Sequence, residues 1–241
     1  MNINGKSVFI TGANRGIGKA LAQEAIERGA SHVYAGMRTL QETSDKRITP
    51  IRLDVTDRSQ ITEAVSRLNR LDILINNAGI AIYDDLSSAD VIKTHLAVNL
   101  LGPYEMTRAC LPLLKQSKGA VVNNLSIVAV AALPLIPSYS ISKAASLNMT
   151  QSLRALLKSD SVTVHGVFLG PVDTDMNKGL DIPKDSPAAA AKGIFDGLER
   201  GEEDIFPDAL SAQLAEGWRR GLAKQLETQN SAFLESLTAA K

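Results

Sequence analysis

Short apolar, β-prone runs recur along this chain with helical stretches between them, and that alternation limits it to a small set of architectures. The runs are residues 7–10, 32–36, 51–53, 72–76, 120–125 and 162–168, with a short seventh at 204–206. Most are continuously apolar, as strands covered on both faces are. The expected fold is therefore α/β: a single-domain, Rossmann-type, doubly wound parallel sheet of about seven strands with helices on both faces. Between the runs, Ile61, Ala64, Val65 and Leu68 fall at helical spacing, and Leu21, Ala25 and Ile26 line one side of a helix that Gly29 would end. No repeat, low-complexity tract or shift of composition divides the chain, so residues 1–241 are read as one domain. Residues 173–185 form a long, polar, proline-containing connection before the helix start Ser186-Pro187, which makes 173–186 a candidate substrate lid. Residues 208–241 read as a C-terminal helical segment with Leu214, Trp218 and Leu222 on its apolar side.

Charge and cysteine content narrow the function classes. Lys plus Arg equals Asp plus Glu at 26 each, so no basic surplus points to nucleic acid or an anionic membrane, and any phosphate-binding charge must be local. The single Cys110 excludes an internal disulfide framework and a multi-thiolate zinc cluster; no metal is expected. No apolar run approaches the roughly 18 residues of a membrane span, and the start MNINGKSVFI lacks a signal-peptide core. A soluble, cytoplasmic protein is expected.

The first run leads straight into "TGANRGIG", residues 11 to 18. A glycine-rich turn from a strand into a helix exposes backbone N–H groups and the positive helix end, which suits a pyrophosphate. The spacing of Gly12, Gly16 and Gly18 is G-x-x-x-G-x-G, not the commoner G-x-G-x-x-G, and an unliganded tight turn satisfies it equally. Further along, Tyr139 and Lys143 in "YSISK" stand four apart, on one face of a helix beginning near Pro137. The pair fits a solvated helix surface. It also fits chemistry, because a phenol with a pKa near 10 is a weak acid-base group at neutral pH unless a cation such as Lys143 favours its phenolate.

With these motifs in order, the chain resembles the short-chain dehydrogenase/reductase family, in its compact single-domain form, from about Gly5 to Met176. "TGANRGIG" is similar to the family's cofactor loop, "LDV" at 53–55 to its adenine-contact segment, and "NNAG" at 76–79 to the motif beside the cofactor. "VNLLG" at 98–102 resembles the segment with the structural-catalytic asparagine, "NNLSIVA" at 123–129 the strand end with the serine, and "YSISK" the tyrosine-lysine pair. The resemblance implies Asn99, Ser126, Tyr139 and Lys143 as the catalytic set. Ser126 is preferred to Ser138, Ser140 and Ser142 because it closes a strand at the carboxyl edge, where open α/β sheets bind ligands.

The resemblance further implies hydride transfer between a nicotinamide cofactor and a carbonyl or alcohol carbon, with Tyr139 as acid/base, Ser126 bonding the substrate oxygen, Lys143 holding the nicotinamide ribose and Asn99 positioning a water. Cofactor contacts are expected from Gly12, Asn14, Arg15, Gly16, Ile17, Gly18, Arg38, Asp54, Val55, Asn77, Ala78, Gly79, Tyr139, Lys143, Val172 and Thr174. The chain departs from the family at Leu169, where a proline usually precedes Gly170. At the end of the second run, Met37 takes the place of the carboxylate that binds the NAD ribose, with Arg38 beside it and Arg15 in the glycine loop, so NADP is expected over NAD.

The expected substrate is a small, moderately apolar ketone or aldehyde facing Ile127, Val128, Leu133, Leu135, Ile136, Met176 and Leu180, residues that a core or a subunit contact would equally use. A 3-oxoacyl-carrier reductase is the runner-up. A non-catalytic dinucleotide sensor would not need the full set of four, and the epimerase-like branch usually has two, not three, residues between the first two glycines. The resemblance implies a homodimer or homotetramer paired through helices at 87–115 and 139–158. His95 and Cys110, on the first of these, are read as packing residues.

Overall fold

The computed structural model describes residues 1–239; the last two residues of the expected C-terminal helical segment lie outside the described residues. Seven strands, β1 (Ser7–Thr11), β2 (His32–Met37), β3 (Ile48–Arg52), β4 (Ile73–Asn76), β5 (Ala120–Asn124), β6 (Thr163–Val167) and β7 (Asp204–Ile205), form one sheet in the order β3-β2-β1-β4-β5-β6-β7. Every pairing is parallel. The apolar runs are continuous because both faces are covered. Val8, Ile10, Ile73, Ile75 and Val122 face a core built with α1 (Gly16–Glu27) and α6 (Pro187–Arg200), while Phe9, Leu74 and Val121 face a second core built with α2 (Arg58–Ser66) and α4 (Gly102–Ser117).

β3 starts three residues earlier than its apolar run because Pro50, which argues against a strand interior, sits on the sheet edge. There its missing N–H breaks no ladder. The helix expected at 87–115 is α3 (Ala89–Leu96), a π-turn at Ala97–Leu101 and α4. The π-turn widens the helix at Asn99, a local distortion frequent at functional sites. α5 (Pro137–Leu157) begins at its proline, as the sequence indicates.

The C-terminal segment forms α7 (Ala209–Arg220) and α8 (Leu222–Ala239). Its expected apolar side does not hold. Gly221 ends the helix, so Leu222 starts a new one at 70% exposure and Leu214 is 41% exposed. Only Trp218 packs inward, its ring 5.0 Å from that of Phe168 and its Nε1 donating to Asp204. Charge docks α8 instead: Arg154 pairs with Asp204 and Glu227, and Lys224 with both as well. Among the described residues no helix is long and apolar enough to cross a membrane.

Candidate active site

The strand order reverses between β1 and β4, and the crevice beyond their carboxyl ends is where such sheets take ligands. Thr11 closes β1 and binds the two ends together: its Oγ1 accepts from the Asn77 and Ala78 amides, and its carbonyl accepts from Asn77 Nδ2 at 2.9 Å. Gly12, at φ +69°, passes so near that a β-carbon there would sit 3.0 Å from Ala78 Cα. A β-carbon on Gly18 would lie 2.1 Å from the Gly12 carbonyl, so only glycine lets α1 start this close to β1. Arg15 holds the N-cap position of α1 with no side-chain cap bond. The first N–H groups of this helix therefore face the crevice with the positive end of its dipole, a fit for a pyrophosphate.

The crevice is lined by Gly12, Asn14, Arg15, Gly16, Ile17, Gly18, Arg38, Asp54, Val55, Asn77, Ala78, Gly79 and Thr174 of the expected contacts. Met37, Leu53, Thr56, Ile80, Val98, Asp175 and Met176 join them. Met37 is buried where a ribose-binding carboxylate would stand, and the exposed Arg38 guanidinium makes no hydrogen bond or ion pair among the described residues. Arg15 does have a partner: its Nη1 lies 2.5 Å from Asp175 Oδ2 across the crevice mouth.

Val172, like Tyr139 and Lys143 of the expected contacts, is not among the residues that line this part of the crevice. It is 2% exposed, and its carbonyl accepts from Asn177 Nδ2 while its neighbours pair with Asp185 and close the neck of the loop. The loop therefore projects Thr174, Asp175 and Met176 toward the crevice and turns Val172 inward. Leu169, in place of the usual proline, is buried, and its carbonyl accepts from Ser126 Oγ at 3.2 Å and from the Ile127 amide. The strand end carrying Ser126 is thus anchored to the chain after β6.

Ser126, Tyr139 and Lys143 converge at the carboxyl end of β5. Lys143 is buried, its Nζ donates to the Asn124 carbonyl at 2.7 Å and stands 5.6 Å from the centre of the Tyr139 ring. Burial pushes the Tyr139 phenol up to about 12, and a hydrogen bond with Ser126 works the other way. Burial also lowers the Lys143 ammonium to about 8. Burial, and not the neighbouring ammonium, governs this phenol, contrary to the expectation from spacing alone.

Asn99, in the π-turn, accepts from the Ile80 amide and donates from Nδ2 to the Ile80 carbonyl and Ser142 Oγ. The Asn99 carbonyl accepts from Ser146 Oγ. The competing serines point away from the phenol: Ser138 binds Asp84, Ser140 the Ile136 carbonyl and Ser142 the Tyr139 carbonyl. Of the expected apolar wall, Leu133, Leu135 and Met176 are exposed, Met176 at the crevice, whereas Ile127 packs against the core around Phe168. Cys110 is fully buried packing, its thiol raised to about 12.

Three participants were not singled out from the sequence. Asn124 carries Lys143 on its carbonyl and ties Asn77 through its side chain. Asp208 accepts from the Gly170 amide at 2.8 Å while capping α7 with Ser211. The spacing of Asp208 and Ser211 marks a helix start, but its bond to Gly170 spans 38 residues and has no local signature. Asp175 is the third, next to Thr174.

Comparison with known proteins places this geometry. The family model described as short chain dehydrogenase matches residues 6–184. A short-chain dehydrogenase from Burkholderia cenocepacia, solved in complex with NADP, superposes with a TM-score of 0.84 at 37% identity, covering 91% of this chain and 95% of that one. The short chain dehydrogenase pigC of Monascus ruber is 33% identical over 202 residues, 75% of this chain and 67% of its own length. The 3-oxoacyl-acyl-carrier-protein reductase FabG of Vibrio harveyi is 33% identical over 198 residues, 75% of this chain and 79% of its own.

Proposed function

Because the chain belongs to the short-chain dehydrogenase/reductase family, we propose that it is an NADP-dependent oxidoreductase acting on a moderately apolar ketone or aldehyde and the corresponding alcohol. The observation that carries the reading is the convergence of Tyr139, Ser126 and buried Lys143 beside a crevice with an uncapped helix N-terminus. Gly12, Gly16, Gly18 and the N–H groups of α1 hold the pyrophosphate; Asp54 and Val55 flank the adenine, Arg38 and Arg15 take the 2′-phosphate, and Lys143 holds the nicotinamide ribose. Asn14, Ile17, Asn77, Ala78, Gly79 and Thr174 complete the walls. When bound, the cofactor supplies or accepts the hydride at its nicotinamide ring.

Tyr139 gives its phenolic proton to the forming alkoxide in reduction and takes it back in oxidation, while Ser126, its hydroxyl turned from the Leu169 carbonyl, hydrogen-bonds the same oxygen. Asn99 fixes the Gly79-Ile80 backbone and the floor beside Lys143. The loop at 173–186 acts as a lid over the substrate. Two copies pair through α4 and α5; the exposed Ile141 and Leu156 on α5 support that surface.

A carrier-bound 3-oxoacyl substrate is the second reading, favoured by the relative from Vibrio harveyi. The mouth argues against it. Residues 80–88 and 171–186 carry Asp84, Asp85, Asp173, Asp175, Asp181 and Asp185 against Lys178 and Lys184, and residues 127–137 carry no charge. These segments offer an acidic carrier few cations, and Lys184 and Arg15 are already paired with Asp173 and Asp175. Loss of the reduced-nicotinamide absorbance with NADPH and a panel of free and carrier-bound carbonyls tests both readings. Reduction of free ketones supports the first, activity confined to carrier-bound 3-oxoacyl groups the second, and none with any carbonyl would overturn both.

A further inference from the structure

The segment leaving β4 runs past Tyr139 and is held at every second residue. Ile80 is held by Asn99, through its amide and its carbonyl at 2.9 Å each. Asp84 is held by the first turn of α5, its carboxylate accepting from Ser138 Oγ at 2.8 Å and the Ser138 amide at 3.3 Å. Between them the Ile82 amide donates to His95 Nε2 at 3.0 Å. The backbone amides of Ile80 and Ile82, two residues apart, are each taken by a side chain of the 89–101 helical stretch, and Asp84 is held by its own carboxylate.

His95 is fully buried on α3, and its other ring nitrogen lies 2.8 Å from the Val91 carbonyl. A carbonyl only accepts, so Nδ1 carries the proton and Nε2 has the lone pair that Ile82 needs. The ring also stands edge-on to the Tyr139 ring, with centroids 6.3 Å apart at 65°.

Building on the reading of Tyr139 as the acid/base, we propose that His95 is a positioning residue for the reaction. In its neutral Nδ1–H form it fixes the Ile82 backbone and seats the Tyr139 ring, and so sets the wall that a carbonyl substrate meets. Ile82 and Tyr83 are exposed at that wall, while Ile80, on its own anchor, faces the cofactor crevice. Loss of the His95 bond therefore loosens the substrate side and leaves the cofactor side in place.

Two variants separate positioning from packing. His95→Phe keeps an aromatic edge toward Tyr139 and removes the acceptor; His95→Gln keeps an amide oxygen to accept from Ile82. Steady-state reduction of benzaldehyde by NADPH should fall about 10-fold in kcat/KM in His95→Phe, with NADPH affinity within about 2-fold of the wild type. His95→Gln should recover most of the loss. Amide hydrogen exchange, which needs no turnover, should show Ile82 protection lost in His95→Phe and retained in His95→Gln. Equal Ile82 protection in all three proteins, or a His95→Gln enzyme as slow as His95→Phe, would overturn the proposal. Failure of the Tyr139 reading would show separately, as turnover surviving in Tyr139→Phe while the Ile82 exchange pattern still held.

Discussion

Arg15, in the glycine loop, and Asp175, in the loop after β6, meet at 2.5 Å across the mouth of the crevice, joining the cofactor loop to the proposed lid. Both side chains are about two-thirds exposed, at 64% and 67%. The pair is therefore worth little to folding and is easily exchanged for another anion. A 2′-phosphate that takes Arg15 has to displace Asp175. Asp175→Asn is expected to tighten NADPH binding about 2- to 5-fold and to leave NADH nearly unchanged, as read by nucleotide fluorescence titration. Weaker NADPH binding in this variant would mean that Asp175 closes over the nucleotide instead of competing with it.

Arg38, without a side-chain partner among the described residues and beside buried Met37, is proposed to carry the main share of cofactor choice. A charged hydrogen bond to the 2′-phosphate corresponds to about 10- to 100-fold in kcat/KM for NADPH over NADH. Met37→Asp with Arg38→Leu should erase or reverse that ratio. A wild-type enzyme that already favours NADH would contradict the assignment.

Ser126 lowers the phenol that burial raises to about 12. Ser126→Ala removes the lowering bond, so the phenolate needed for alcohol oxidation forms only at higher pH. The alkaline rise of the oxidation rate should move to higher pH, and kcat should fall about 100-fold from loss of a donor to the alkoxide. An unchanged pH profile would show that Ser126 does not touch the phenol during turnover.

The strands, the glycine loop and the Tyr139–Lys143 pair were legible because each rests on local pattern. An apolar run needs covering, a glycine between strand and helix needs close approach, and residues four apart share a helix face. Sites made by long-range contacts were not legible. Val172 belongs to a loop whose direction depends on its pairing with Asp185, and nothing local shows that it turns inward. Leu222 fell out of its apolar stripe through a break at Gly221, where helical periodicity alone runs on. The rise of the Tyr139 phenol was missed because spacing reports a neighbouring cation and not the water removed from both.

Arg154 is 12% exposed between the nearly buried carboxylates of Asp204 and Glu227. Burial pushes the Asp204 carboxyl up, but Arg154 and Lys224 outweigh it and hold it below its ordinary value. A depressed carboxylate stabilises the fold above its unfolded pKa of about 4 and loses that contribution as pH falls through the lower folded value. Arg154→Met should cost about 3 kcal/mol in urea denaturation at neutral pH, the low end for a broken buried pair because Lys224 remains. Its acid unfolding should begin at higher pH than in the wild type. An unchanged urea midpoint would mean that the α8 charges are ornamental to stability.

If Tyr139 moves the proton, the kinetics of Tyr139→Phe must show it. The variant keeps the ring beside His95 and Lys143 and lacks only the hydroxyl. With NADPH saturating and binding confirmed by fluorescence, carbonyl turnover should drop at least about 100-fold. A folded, NADPH-binding Tyr139→Phe enzyme that turns over near the wild-type rate would contradict the account.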